Sequence, residues 1–138
     1  MKLGVNMKYR LLDILACPYD KSFPLKLIVF EETTYEERKV ELEKEPFCEL
    51  YCGLRKAMIS ELGQIDYSCT ECIKKEVVTG ILICEKCGRW YPIREEIPIM
   101  LPDELRNEKE DIEFMKKFRD KFPEKILREG KPFRLTEP

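Results

Sequence analysis

Seven cysteines and no histidine constrain this 138-residue chain more than any other feature. Six of them fall in close pairs: Cys48 with Cys52, Cys69 with Cys72, and Cys84 with Cys87. Two thiolates separated by two residues can hold one tetrahedral metal from a tight turn, and a glycine after the second lets that turn aim backbone N–H groups at sulfur. Cys84-Glu85-Lys86-Cys87-Gly88 has that form. Cys17 stands alone in Cys17-Pro18-Tyr19-Asp20-Lys21, with Asp20 where a second knuckle cysteine would be. Without histidine, any zinc is bound by Cys and carboxylate.

Two groupings are chemically sensible. In one, Cys17 and Asp20 join Cys84 and Cys87, while Cys48, Cys52, Cys69 and Cys72 form a second site in the middle of the chain. In the other, Cys69, Cys72, Cys84 and Cys87 make a zinc ribbon, with Ile73 to Ile83 turning back as a hairpin. Spacing alone favours the ribbon, but it leaves Cys48 and Cys52 without partners. The middle cysteines can bind metal, pair as disulfides or pack as small buried hydrophobes. Four protein ligands close a metal's shell, so such sites are structural rather than catalytic.

Composition narrows the setting. Charged residues make up 38% of the chain, and Asn and Gln occur only at Asn6, Gln64 and Asn107, a thermophile pattern. A formal charge of -2 gives no general attraction for phosphate backbones. No apolar run reaches the roughly 20 residues of a membrane span, and the amino-terminal residues lack a secretory apolar stretch, so a cytoplasmic protein is expected. In that reducing compartment paired cysteines are more often metal ligands than disulfides, hyperthermophiles excepted.

Residues 24–30 (PLKLIVF) and 76–84 (EVVTGILIC) read as strands, the second interrupted by Gly80, and Trp90 to Ile93 with Ile97 to Met100 as shorter pieces pushed toward an edge by Pro92 and Pro98. Tyr9 to Ala16 fits a short buried helix or turn. Glu31 to Glu45 reads as a solvated helix with a Thr34/Glu37 capping box, and Gly53 to Gly63 as an amphipathic helix. After Pro102, Asp103 is a candidate cap, and Ile112, Met115, Phe118 and Phe122 recur at helical spacing until Pro123.

The run Gly80-Ile-Leu-Ile-Cys84-Glu-Lys-Cys87-Gly-Arg-Trp-Tyr91-Pro92-Ile93, then Ile97-Pro98-Ile99-Met100-Leu101, together with Cys17-Pro18-Tyr19-Asp20 near the start, resembles the Trm-type family of small zinc-binding activator subunits of methyltransferases. The resemblance spans roughly residues 8 to 105. It implies an α+β fold: a zinc-knuckle, zinc-ribbon-like β-sheet domain built from both chain ends (1–30 and 74–105), an inserted small helical domain (31–73) and a charged C-terminal helix and tail (106–138). It also implies structural Zn2+ at Cys17, Asp20, Cys84 and Cys87, with Asp20 a departure from thiolate. The middle cysteines lie outside the common pattern.

By the same resemblance the chain is not an enzyme. It is expected to bind, stabilise and activate class I S-adenosylmethionine-dependent methyltransferases acting on tRNA, rRNA or translation factors. The methyl donor stays in the partner, and RNA is met through the complex. Trp90, Ile93, Ile97, Ile99 and Met100 are the expected partner surface, as an edge for β-augmentation. A zinc-ribbon protein binding RNA directly is the alternative; an iron-thiolate enzyme or electron carrier is less favoured.

Overall fold

The structure, a computed structural model, describes residues 7–38 and 45–135. Its centre is a four-stranded antiparallel sheet in the order β1-β4-β5-β6, with β1 at Lys26–Thr34, β4 at Lys75–Ile83, β5 at Trp90–Arg94 and β6 at Ile97–Pro98. A two-stranded ribbon, β2 (Tyr51–Cys52) with β3 (Ala57–Met58), lies in the segment between β1 and β4. Segments before and after the insertion therefore meet in one sheet, and the fold is mixed α+β.

β4 is the central strand and is buried from Thr79 to Ile83, as an apolar Gly-Ile-Leu-Ile run packed on both faces should be. Gly80 does not interrupt it. A Cβ at that position would stand 2.4 Å from the Ile28 carbonyl, so glycine is what lets β1 approach where its register shifts after Val29.

Alternation along the strands splits the core in two. Leu27, Leu82, Tyr91 and Ile93 face one side, where Met7, Tyr9, Leu12 and Leu25 cover them. Ile28, Phe30, Ile81, Ile83 and Trp90 face the other, beneath the C-terminal helices α3 (Glu108–Lys117) and α4 (Glu124–Glu129). Phe114, Phe118 and Phe122 close over Phe30 in ring contacts of 5.0 to 6.1 Å. Beside them, Arg106 donates to Asp111 at 2.7 Å and to the Trp90 carbonyl at 2.8 Å.

Several local expectations change. β1 runs through Thr34, so the expected helix over Glu31 to Glu45 is absent from its described part, and residues 39–44 lie outside the described residues. Gly53 to Gly63 contains β3 and the four-residue α1 (Ile59–Leu62); cross-strand pairing to Tyr51–Cys52 outcompetes a marginal helix. The insertion is as much ribbon and turn as helix, with α2 (Cys69–Cys72) its other helical piece. Asn107, rather than Asp103, caps α3 by accepting from the Glu110 amide at 3.0 Å.

Candidate metal centre

β4 ends at Ile83, and the chain turns through Cys84–Gly88 before re-entering the sheet as β5. Gly88 adopts a left-handed φ of 84°, its N–H donates to the Cys84 carbonyl at 2.9 Å, and the Cys84 N–H donates to the Arg89 carbonyl at 2.9 Å. Cys17 sits in a second turn with the same bonds. The Lys21 N–H donates to the Cys17 carbonyl at 2.9 Å, and the Cys17 N–H to the Ser22 carbonyl at 3.0 Å. Lys21 takes the place of Gly88, with a φ of 64° that an L-residue adopts only at a cost. Cys-x-x-Asp-Lys and Cys-x-x-Cys-Gly are thus two copies of one knuckle, facing each other.

The ligand atoms of Cys17, Asp20, Cys84 and Cys87 all lie within 4.8 Å of one another. The Cys17 and Cys87 sulfurs are 3.8 Å apart, and Cys84 Sγ is 3.4 and 3.5 Å from the two Asp20 oxygens. Zinc–sulfur bonds of about 2.3 Å and zinc–oxygen bonds of about 2.0 Å give tetrahedral edges of about 3.8 Å between sulfurs and about 3.5 Å between sulfur and oxygen. The donor set fits a zinc-sized cation, and these four residues are the ones that would hold it.

Electrostatics prepare the donors unequally. Burial pushes the Cys84 thiol up to about 11, against the Cys87 and Lys86 backbone amides, which favour its thiolate. Burial also acts on Cys87, but the Arg89 amide and side chain and the neighbouring thiols outweigh it and lower that group. The Ser22 amide, donating at 2.9 Å, holds Asp20 far below the usual carboxylate range. The carboxylate is therefore ionised and ready to ligate.

An outer layer that sequence reasoning missed locks the cluster in place. The buried Tyr91 hydroxyl lies 3.6 Å from Cys17 Sγ. Arg89 stacks over Tyr19 with 3.7 Å to the ring centroid and grips Asp103 through Nε and Nη2, at 3.1 and 2.8 Å to its nearest oxygens. The Asp103 amide donates back to the Tyr19 hydroxyl at 2.7 Å. The signal for Lys21 was available in the sequence, because laying one knuckle over the other puts it on Gly88.

Of the two groupings expected for the cysteines, the structure gathers Cys17 and Asp20 with Cys84 and Cys87. Ile73 to Ile83 cannot turn back as a ribbon hairpin, because Lys75–Ile83 is one strand paired along β1. Cys48, Cys52, Cys69 and Cys72 lie in the insertion, outside the cluster.

The expected partner surface is also redistributed. Trp90 and Ile93 are fully buried in the chain's own core, Trp90 beneath Phe114 and Phe122. β5 is an interior strand, and the short β6 forms that edge of the sheet. Ile97 is exposed and Ile99 and Met100 are half-buried; Leu101 and Leu105, just beyond, are exposed.

The sequence profile of the Trm112p-like proteins matches residues 8–96, which takes in both knuckles and the whole sheet but β6. The chain belongs to the Trm112p-like family. Membership implies a small partner of methyltransferases, and the family is one of non-catalytic subunits. Residues 97–138, including α3 and α4, lie beyond the match. No curated protein matches the chain significantly. Among the described residues no helix is long and apolar enough to cross a membrane.

Proposed function

We propose that this chain is a cytoplasmic activator subunit that binds, stabilises and activates class I S-adenosylmethionine-dependent methyltransferases modifying tRNA, rRNA or translation factors. The observation that carries the reading is the family match over residues 8–96, with both knuckles inside it. One structural zinc at Cys17, Asp20, Cys84 and Cys87 holds the two knuckles together. The methyl donor and the reacting groups belong to the partner.

Ile97, Ile99 and Met100, continued by Leu101 and Leu105, are the docking strip in this proposal. An edge strand with apolar side chains accepts a partner strand while giving its side chains a surface to rest on. Trp90 and Ile93 act from within, by fixing the shape of β5 under that edge.

The test is affinity capture with the full chain as bait, followed by methyl transfer from labelled S-adenosylmethionine with and without the chain. A methyltransferase recovered at equal stoichiometry, inactive or aggregated when expressed alone, is the expected result. The double variant Ile97→Lys/Leu101→Lys should weaken capture at least tenfold, while moving the stability of the isolated chain by no more than about 0.5 kcal/mol. Recovery of RNA without any methyltransferase would overturn the proposal in favour of a directly RNA-binding ribbon.

A further inference from the structure

Cys48, Cys52, Cys69 and Cys72 play no part in the first cluster, yet their exposures are only 7%, 6%, 3% and 5%. They come from two short pieces of the insertion: Cys48 precedes β2 and Cys52 ends it, while Cys69 and Cys72 begin and end α2. All four are electrostatic neighbours. Cys48 feels charge on Cys52, Cys69 and Cys72; Cys72 feels Cys52 and Cys69; and Cys69 feels Cys52.

One backbone donor to sulfur is already in place. The Arg55 N–H donates to Cys52 Sγ at 3.4 Å, three residues on, as a knuckle amide does. Burial outweighs the Phe47 amide at Cys69 and the nearby Arg10 and Lys75 at Cys72, so both thiols, like that of Cys48, sit above their ordinary value. Asp13, the carboxylate that opposes ionisation of Cys48, is already engaged by the amides of Glu49, Leu50 and Tyr51 at 2.7 to 2.8 Å.

A second observation is independent of the sulfurs. The insertion has a small core of its own: in that cluster Tyr67 is the one buried residue besides Cys52 and Cys69, while Tyr51 and the partly buried Met58 pack with the main core. Its helices are four residues long and lack side-chain caps, and α1 buries no residue. A unit this small rarely keeps one structure by apolar burial alone and is commonly stapled by metal or disulfide.

We propose that Cys48, Cys52, Cys69 and Cys72 are a second structural metal site, taking one zinc ion in an all-thiolate tetrahedron that staples the insertion. Four sulfur–zinc bonds form, four thiol protons pass to solvent, and no electrons are transferred. Among the described residues these sulfurs are not gathered within 4.8 Å as the first set is. In this proposal cysteine rotamer changes, each moving a sulfur by roughly 3 Å, gather them around the ion. A disulfide pair would ask for no amide donor to sulfur.

The test uses the full chain purified under reducing conditions with zinc present and dialysed. Elemental analysis should count two zinc ions per chain, falling to one in Cys69→Ser/Cys72→Ser and to one in Cys84→Ser/Cys87→Ser. In the zinc-loaded wild type, iodoacetamide should label the four middle thiols at least tenfold faster after a chelator is added. One zinc in the wild type, with the middle thiols labelled equally fast with and without chelator, would overturn the proposal. So would an intact mass showing two disulfides there. Because the wild type alone decides both points, a variant that fails to fold leaves the test intact.

Discussion

At the end of the sheet, Cys17 and Cys84 each sit in a turn closed by two backbone bonds, and the four donor atoms already lie within 4.8 Å of one another. In the insertion, Cys52 has one amide donor, Cys69 and Cys72 span a single helical turn, and their sulfurs stand farther apart. The difference lies in what carries each set. The knuckle cysteines hang from β4 and from the chain entering β1, both fixed by a core that includes Leu27, Leu82 and Tyr91. The middle cysteines hang from four-residue helices and two-residue strands. A site on long, packed strands is organised before its metal arrives, whereas one on short, poorly packed pieces must be organised by the metal.

The largest effect is expected from removing thiolates at the preformed cluster. Cys84→Ser/Cys87→Ser should lose that metal and more than about 3 kcal/mol of stability, since structural zinc contributes on the order of 10 kcal/mol to small zinc folds. Unchanged zinc content and denaturation midpoint would mean that the knuckles are held by packing alone.

A second substitution probes how the insertion rests on the sheet domain. A Cβ at Gly53 would stand 2.3 Å from the Tyr9 carbonyl and 2.9 Å from Leu12. Gly53→Ala should therefore cost about 1–3 kcal/mol and speed proteolysis within residues 45–74, leaving zinc at the first cluster. Loss of that zinc would show the two regions to be one cooperative unit.

Tyr91→Phe strips one support from the preformed cluster. Zinc stoichiometry should hold, while affinity measured by chelator competition falls about tenfold and stability by about 1 kcal/mol. The smallest effect is expected at Lys21→Gly, which relieves the left-handed backbone of the Cys17 knuckle. Thermal melting should show a gain between a few tenths and about 1 kcal/mol; a loss would mean that the Lys21 side chain contributes something other than its strain.

Much of this was legible in the residues. Cys84-x-x-Cys87-Gly88 dictates a left-handed turn at Gly88 with two sulfurs on one side, because local bonds alone define that geometry. The Gly-Ile-Leu-Ile run reads as a strand, while its continuity through Gly80 and its burial on both faces came from the packing around it. The Ile112, Met115, Phe118 and Phe122 spacing pointed to an apolar helical stripe, although α3 ends at Lys117 and a 3-10 turn at Arg119–Lys121 separates it from α4. What that stripe covers could not be read from it.

The tertiary structure decided whatever depended on residues far apart in the chain. Cys17 and Asp20, rather than Cys69 and Cys72, lie beside Cys84 and Cys87 because β4 pairs along β1 and brings the two knuckles together. Trp90 went inside because α3 and α4, beyond the family match, needed an apolar face to cover and found the back of the sheet. Spacing encodes what a few neighbouring residues can do. Which distant surfaces meet is settled by the burial of both at once, and that balance belongs to the whole chain.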